Sequence, residues 1–402
     1  MNTHREAPGR PLGKAVSPSD VTRLREIVGD ARVVALGEGG HNITEFYGLR
    51  DRLFRYLVRE CGFTGLVLES GFAEGLGVDA WVHGGPGRVQ DVSRTGITYR
   101  FGECEPMRRQ LRWMRRHNTT GEGTVSFYGM DLPGSSTSPL SAVRACLDRL
   151  PAQPGDAALL ALSDLGERSR AAVRYAAMDS AERGRLLDAM QRLAHRARRH
   201  SSGVLAQCGA SLEAFAAELA GTPPPELPYP REEFMARSVR WVLEREARVV
   251  VSAHNSHVRR TPFHGRPTLG SLLSPTLGAD LVVVGMTYGS GPEVRFTQRS
   301  PRPFDCDVTL GRRVLVPASV ESRLEHLGPR AALLTPCDAP PGFFDGVHGT
   351  LAGGGLDPVD DFQATYDALL HFRRVSRTPG AFERTRAEFA DARSAQHEET
   401  SR

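Results

Sequence analysis

Arg32-Val33-Val34-Ala35-Leu36-Gly37-Glu38-Gly39-Gly40-His41 is an apolar run that breaks into an acid, glycines and an imidazole. Three other stretches repeat that order. Gly65-Leu66-Val67-Leu68 precedes Glu69-Ser70-Gly71, Val125-Ser126-Phe127-Tyr128 precedes Gly129-Met130-Asp131, and Val249-Val250-Val251-Ser252 precedes Ala253-His254-Asn255-Ser256-His257. Brief apolar runs bounded by glycine or polar residues read as strands buried on both faces. Helical spacing fills the intervals: Val21, Leu24, Ile27 and Val28 follow a capping Ser17-Pro18-Ser19-Asp20, and Ile43, Phe46, Tyr47, Leu49, Leu53, Phe54, Leu57 and Val58 follow His41 up to Cys61-Gly62. Alternating strands and helices predict an α/β fold with right-handed crossovers and a mainly parallel sheet. The carboxyl ends of such strands share one edge, so their acids and imidazoles converge in one crevice.

Working outward, further helices are expected from Gly71 to Trp81 and around Met107, Leu111, Trp113 and Met114. From about residue 140 to 246 the texture changes to long alanine-, arginine- and leucine-rich segments, which predicts a helical insertion or cap that interrupts the sheet rather than an independent domain. The expected organisation is a flexible stretch at 1–16, the first part of the core at 17–139, a helical cap at 140–246, the second part of the core at 247–375, and a C-terminal helix or tail at 376–402. Strands are expected at Asp280–Met286, Arg313–Pro317 and Ala331–Thr335, with fraying from about Ala395.

A chain of 402 residues buries a substantial core. Its formal charge of +4 comes from 51 basic and 47 acidic side chains spread along its length, without a basic block interleaved with aromatics. That argues against a nucleic-acid partner. Met1 to Ala15 lacks the apolar core of a secretory signal, and no apolar run suffices to span a bilayer. Six cysteines without CxxC spacing are expected as free thiols, which predicts a cytoplasmic protein with no membrane partner.

The strand-end residues carry the chemistry. His41 at the start of a helix is expected to be held neutral by the helix dipole, as a general base must be. Either Glu38 or Glu69 could accept its Nδ1–H and fix its tautomer. Arg50, nine residues on, could face the crevice or only the surface. His254 and His257 could bind a metal, donate to an oxyanion or clamp substrate oxygens. Asp131 is expected to support the site from behind. The glycines at 37, 39 and 40 lack the order of a phosphate loop, and no GxSxG elbow appears. Direct activation of water is therefore expected, without a covalent intermediate.

Gly37-Glu38-Gly39-Gly40-His41, Gly62-Phe63 through Glu69, and Ala253-His254-Asn255-Ser256-His257 resemble, in order, the motifs of the erythromycin esterase family. The resemblance extends through Glu45-Phe46, Arg50, Ser70 to Gly75, Tyr128 to Pro133 and Phe234 to Ser238. Asn42-Ile43 stands where many members have Gly-Thr, which makes the chain most similar to the type II esterases. The resemblance implies a three-layer α/β sandwich with a helical cap and metal- and cofactor-independent hydrolysis of a macrolide or polyketide-like lactone. It also implies that His41 is the base, oriented by Glu69, that Glu38 and Arg50 complete the network, and that His254 and His257 steady the oxyanion or position substrate. Asn255, Asp131 and Glu74 are expected to line the substrate side. A metal-dependent hydrolase using the same cluster, and a biosynthetic or binding protein for a related metabolite, are the alternatives.

Overall fold

The computed structural model describes residues 18–121, 123–166, 168–327 and 331–400; the stretch expected to be flexible at 1–16 and the capping Ser17 lie outside them. Helix α1 (Pro18–Val28) leads into strand β1 (Val33–Glu38), and α2 (Thr44–Cys61) into β2 (Gly65–Gly71). Helices α3 (Phe72–Val82), α4 (Val89–Gly96) and α5 (Glu105–Thr120) precede β3 (Ser126–Asp131). The insertion follows as a short turn, α6 (Pro133–Ser136), then α7 (Leu140–Leu147), α8 (Asp156–Ser163), α9 (Arg168–Ala177), α10 (Ser180–Arg198), α11 (Gly203–Ala220) and α12 (Pro230–Leu243). The chain then forms β4 (Val249–His254), α13 (Asn255–Val258), α14 (Leu269–Leu277) and β5 (Leu281–Ser290). The last part holds β6 (Pro292–Gln298), β7 (Cys306–Arg312), α15 (Val320–Leu324), β8 (Ala331–Leu334), β9 (Gly349–Ala352), β10 (Gly355–Pro358), α16 (Phe362–Thr365), β11 (Ala368–Arg374) and α17 (Ala381–Thr400).

The main sheet has the order β3-β2-β4-β1-β5-β11-β8. Its neighbours run parallel except at the edge, where β8 is antiparallel to β11. Side chains alternate between two packed faces. Val34, Leu36, Leu66, Leu68, Val250 and Val284 meet α2 and α5, while Val33, Ala35, Val67, Val251 and Val283 meet α12 and α14. Both faces are covered, as a parallel sheet requires, so the fold is a three-layer α/β sandwich. The insertion has its own buried cluster, joined to the core through Phe72, Leu132 and Phe234. Helix α2 buries Phe46, Leu49, Leu53, Phe54 and Leu57 and ends at Gly62, whose φ of 70° suits glycine and whose N–H donates to the Leu57 carbonyl.

Register places the chemistry. Glu38 at the end of β1 pairs with His254 of β4 on one side and Met286 of β5 on the other. Two expectations fail. Arg313–Pro317 forms no strand, because β7 ends at Arg312 as the partner of β6 in a hairpin and the chain then turns away. Nor does the chain fray at Ala395: α17 runs to Thr400, with Ala392 and Ala395 buried against Val173 of the insertion. Small residues there mark a helix packing closely against another helix.

Candidate active site

The turn after β1 carries His41. Gly39 N–H donates to the Met286 carbonyl at 2.9 Å, Asn42 takes a φ of 59°, and α2 starts only at Thr44. His41 thus stands ahead of the helix, and a carboxylate outweighs the dipole: Nδ1 lies 2.7 Å from Glu38 Oε1. Partial burial disfavours the imidazolium, but the hydrogen bond and charge of Glu38, with a smaller contribution from Glu69, raise the pKa of His41 overall. Water still reaches the ring, whose side chain is 40% exposed, so desolvation is incomplete. Phe101 packs on it at 5.0 Å between centroids.

His254 faces His41, with ring centroids 5.2 Å apart. Burial, then the neighbouring His41, push its pKa down to about 3, so the ring is neutral. Ser256 N–H donates to His254 Nδ1 at 3.3 Å, and Ser256 Oγ lies 2.8 Å from the same nitrogen. An Nδ1 that accepts from a backbone amide leaves the proton on Nε2.

Glu69 does not touch His41 through a hydrogen bond. It accepts from the His254 backbone N–H at 2.8 Å and from Arg231 at 2.9 Å, and it lies 3.4 Å from His257 Nε2. Of Glu38 and Glu69, both open from the sequence as acceptors of His41 Nδ1–H, Glu38 takes that place, and Glu69, expected from the resemblance to orient His41, bonds to Arg231 and the His254 amide instead. The pleat explains the swap: Glu38 belongs to the face of Leu36 and Glu69 to the face of Val67. Burial alone would raise the Glu69 pKa, yet His257, Arg231 and His41 hold it well below the usual carboxylate range. His257 Nδ1 pairs with Glu232, and despite its burial Glu232 and Glu69 push the His257 pKa up to about 10. His257 is therefore an imidazolium with both nitrogens engaged, unlike His254.

Arg231 is the main residue that sequence reasoning missed. Its guanidinium, 22% exposed, binds Asp131 at 2.7 Å and Glu69 at 2.9 Å and lies over the Tyr99 ring at 5.5 Å. Tyr99 Oη donates to Asp131 at 2.9 Å. A signal existed: Arg231 and Glu232 follow Pro230 in the first turn of α12, and an arginine there opposes the helix dipole. Asp131 is fully buried.

The remaining expected residues are placed as follows. Arg50, 3% exposed, lies beneath the crevice, donating to Gln110 at 3.2 Å and Ser252 at 3.3 Å and stacking on Tyr47 at 4.5 Å. Asn255 is buried, donates to the Met286 carbonyl at 3.0 Å, and packs where a Cβ on Gly37 would stand. Glu74 accepts from Gly134 N–H and Ser141 Oγ, both at 2.7 Å, at the root of the insertion. Asn255 and Glu74 thus brace the frame, and no hydrogen bond joins either to the three histidines.

Left-handed backbone concentrates here. Tyr99, Arg100, Ser135 and Ser136, none of them glycine, have φ of 55°, 59°, 58° and 59°. Each costs on the order of 1–2 kcal/mol. Ser135 Oγ accepts from Tyr99 N–H and Ser136 Oγ bonds Tyr99 Oη, both at 2.9 Å, so the two strained segments hold each other. Strain kept by such mutual support is typical of functional sites.

A cavity of about 270 Å³ adjoins the cluster, lined by Arg231, Glu232, Ser256 and His257 among others. Among the described residues no group of three His, Cys, Asp or Glu side chains is placed to hold a metal ion, and no helix is long and apolar enough to cross a membrane.

The chain is similar to several known proteins. A type II erythromycin esterase of Escherichia coli is 28% identical over 306 residues, 68% of this chain and 72% of the relative. A type I erythromycin esterase of the same organism is 21% identical over 350 residues, covering 79% and 85%. A solved mutant erythromycin esterase in its open conformation superposes with a TM-score of 0.71 at 19% identity, over 90% of this chain and 95% of that one. A succinoglycan biosynthesis protein gives 0.72 at 18%, covering 92% and 95%. At such identities the structures establish the fold alone. The erythromycin esterase family model matches residues 58–375, most of the chain, and the protein belongs to that family.

Proposed function

We propose that the protein hydrolyses the ester of a macrolactone with His41 as general base, without an acyl-enzyme. The reading rests on one relationship: His41 and His254 face each other across the strand ends with opposite proton demands. His41, its Nδ1–H donated to Glu38, takes a proton from water at Nε2. The hydroxide adds to the ester carbonyl. His254, neutral with its proton on Nε2, donates to the oxyanion that forms, and the fixed charges of Arg231 and His257 sit behind it. Collapse of the adduct expels the alkoxide, which recovers the proton from His41, and atoms and charge balance. Glu69 is a positioning residue, tying His254, His257 and Arg231 together.

Erythromycin is the substrate to try first, given the activity named for the relatives. Single-turnover hydrolysis in ¹⁸O-water should place one ¹⁸O in the product carboxylate, and acid quenching during turnover should leave the protein's intact mass free of a substrate-derived acyl group. Replacing His41 by Asn should lower kcat by about 10² to 10⁴. A covalent acyl adduct on the quenched protein, or full activity in that variant, would refute the mechanism; absence of any added water across a macrolide panel would refute the substrate class.

A further inference from the structure

The cavity beside His257 has walls that the hydrolytic mechanism does not use. Besides the cluster residues it is lined by Glu218, Tyr229, Phe263, Arg266, Pro267 and Thr268. Phe263 and Arg266 are presented together by a tight hairpin: each backbone N–H donates to the other's carbonyl, at 2.8 and 3.0 Å, around His264 and Gly265 with φ of 48° and 76°. Two positive φ values in succession are those of a type I′ turn, which only glycine adopts freely. His264 therefore holds a conformation uncommon for its type, and the turn fixes where Phe263 and Arg266 point. Arg266 ties this turn to the insertion by donating to the carbonyls of Pro224 at 2.9 Å and Leu227 at 3.3 Å and by stacking on Tyr229 at 4.7 Å.

Size and charge limit what fits. About 270 Å³ lies below the range of pockets that enclose a drug-sized ligand, so the space takes one ring substituent while a macrocycle stays outside it, towards His41. Arg231 is paired with Asp131 and Glu69, and His257 with Glu232 and Glu69. Glu218 and Arg266 remain, one charge of each sign, so an ionised substituent would leave one of them opposed. Burial raises the Glu218 pKa, and its carboxylate accepts from Arg231 N–H at 3.3 Å, leaving capacity for a further donor. Aromatic faces flanked by a carboxylate and a guanidinium suit a ring that is apolar on its faces and hydroxylated at its edge.

We propose that this cavity is a specificity subsite for a neutral, hydroxyl-bearing ring carried by the substrate, seated on Phe263 and Tyr229 and bonded at its edge by Glu218 and Arg266. The proposal names part of the substrate of the hydrolase described above, but its test does not need turnover. Calorimetric titration of the full chain carrying His41→Asn compares a macrolactone bearing a neutral hexose with its aglycone. The glycoside should bind about tenfold more tightly. In a second background, Phe263→Ala or Glu218→Gln should bring that ratio to near one, with circular dichroism confirming the fold; Phe263 and Glu218 are both only partly buried, so neither change empties the core. Equal affinity for glycoside and aglycone overturns the subsite. So does a ratio that neither substitution changes, or tighter binding of a glycoside whose hydroxyl is replaced by an ammonium group. With the wild-type chain, the same ratio read in kcat/KM tests the subsite during turnover; loss of hydrolysis with the binding ratio intact would refute the reaction and keep the subsite.

Discussion

His41 and His254 lie 5.2 Å apart between ring centroids, yet one is raised in pKa and the other is pushed down to about 3. The difference comes from what each Nδ1 meets. That of His41 meets the Glu38 carboxylate, and that of His254 meets a backbone amide and a hydroxyl. Two neighbouring imidazoles cannot both be protonated cheaply, and this asymmetry decides which one holds the mobile proton.

Substitution of Glu38 by Gln tests that assignment. A base works only when deprotonated, so the acid limb of kcat/KM follows the pKa of His41 in the free enzyme. Removing the negative charge lowers that pKa, and the limb should move to lower pH while the plateau falls by on the order of 10² through lost orientation. Glu69→Gln should leave the limb closer to its wild-type position, since Glu69 makes no hydrogen bond to His41. A larger displacement by Glu69→Gln would reverse their roles.

Arg231→Met should be among the most destabilising single changes in the molecule. It leaves Asp131, fully buried, without its cation and leaves Glu69, 4% exposed, with His257 alone. Breaking a buried pair from one side costs about 3–5 kcal/mol. Adding Asp131→Asn should recover part of the loss, because the neutral amide needs no counter-charge. Denaturant unfolding of the two variants checks both statements, and additive losses would show that the groups do not interact.

How far the sequence foretold this site depended on what each residue contacts. His41, Glu69, Asp131 and His254 were legible because each follows a short apolar strand, and parallel strands bring such ends to one edge. The partner of His41 was not legible. Strands buried on both faces are apolar at every position, so they show no alternation from which to read that Glu38 and Glu69 face opposite ways. Arg231 and Glu232 come from a helix 100 residues past Asp131, and only tertiary packing brings them back. The β6–β7 hairpin and β11 escaped notice because their runs lacked the strand-then-polar pattern that marked the others.

His257 makes stability depend on alkaline pH. Its folded pKa of about 10 lies above the ordinary 6.5, so its contribution is complete below about pH 6.5 and disappears as the pH rises through 10. Unfolding free energy should therefore decline over that interval. Glu69, with its pKa depressed, acts at the other end: its contribution is present above about pH 4.5 and fades as the carboxylate protonates in acid. In His257→Gln the alkaline slope should flatten. An unchanged slope would place the titration elsewhere.

Dialysis against a chelator should leave hydrolysis intact. Metal sites usually draw at least three ligands from the protein. Here His41 Nδ1 is bonded to Glu38, His254 Nδ1 to Ser256, and His257 to Glu232 and Glu69 through its two nitrogens. The oxygens of Glu69 are taken by Arg231 and the His254 amide. Of the ring nitrogens only the Nε2 atoms of His41 and His254 are left, and in the proposed cycle one removes a proton while the other donates a hydrogen bond, so coordinating either would stop it. Elemental analysis before and after dialysis, with activity measured on the same samples, checks this. A stoichiometric metal whose loss abolishes turnover and whose return restores it would require these hydrogen bonds to rearrange around the ion.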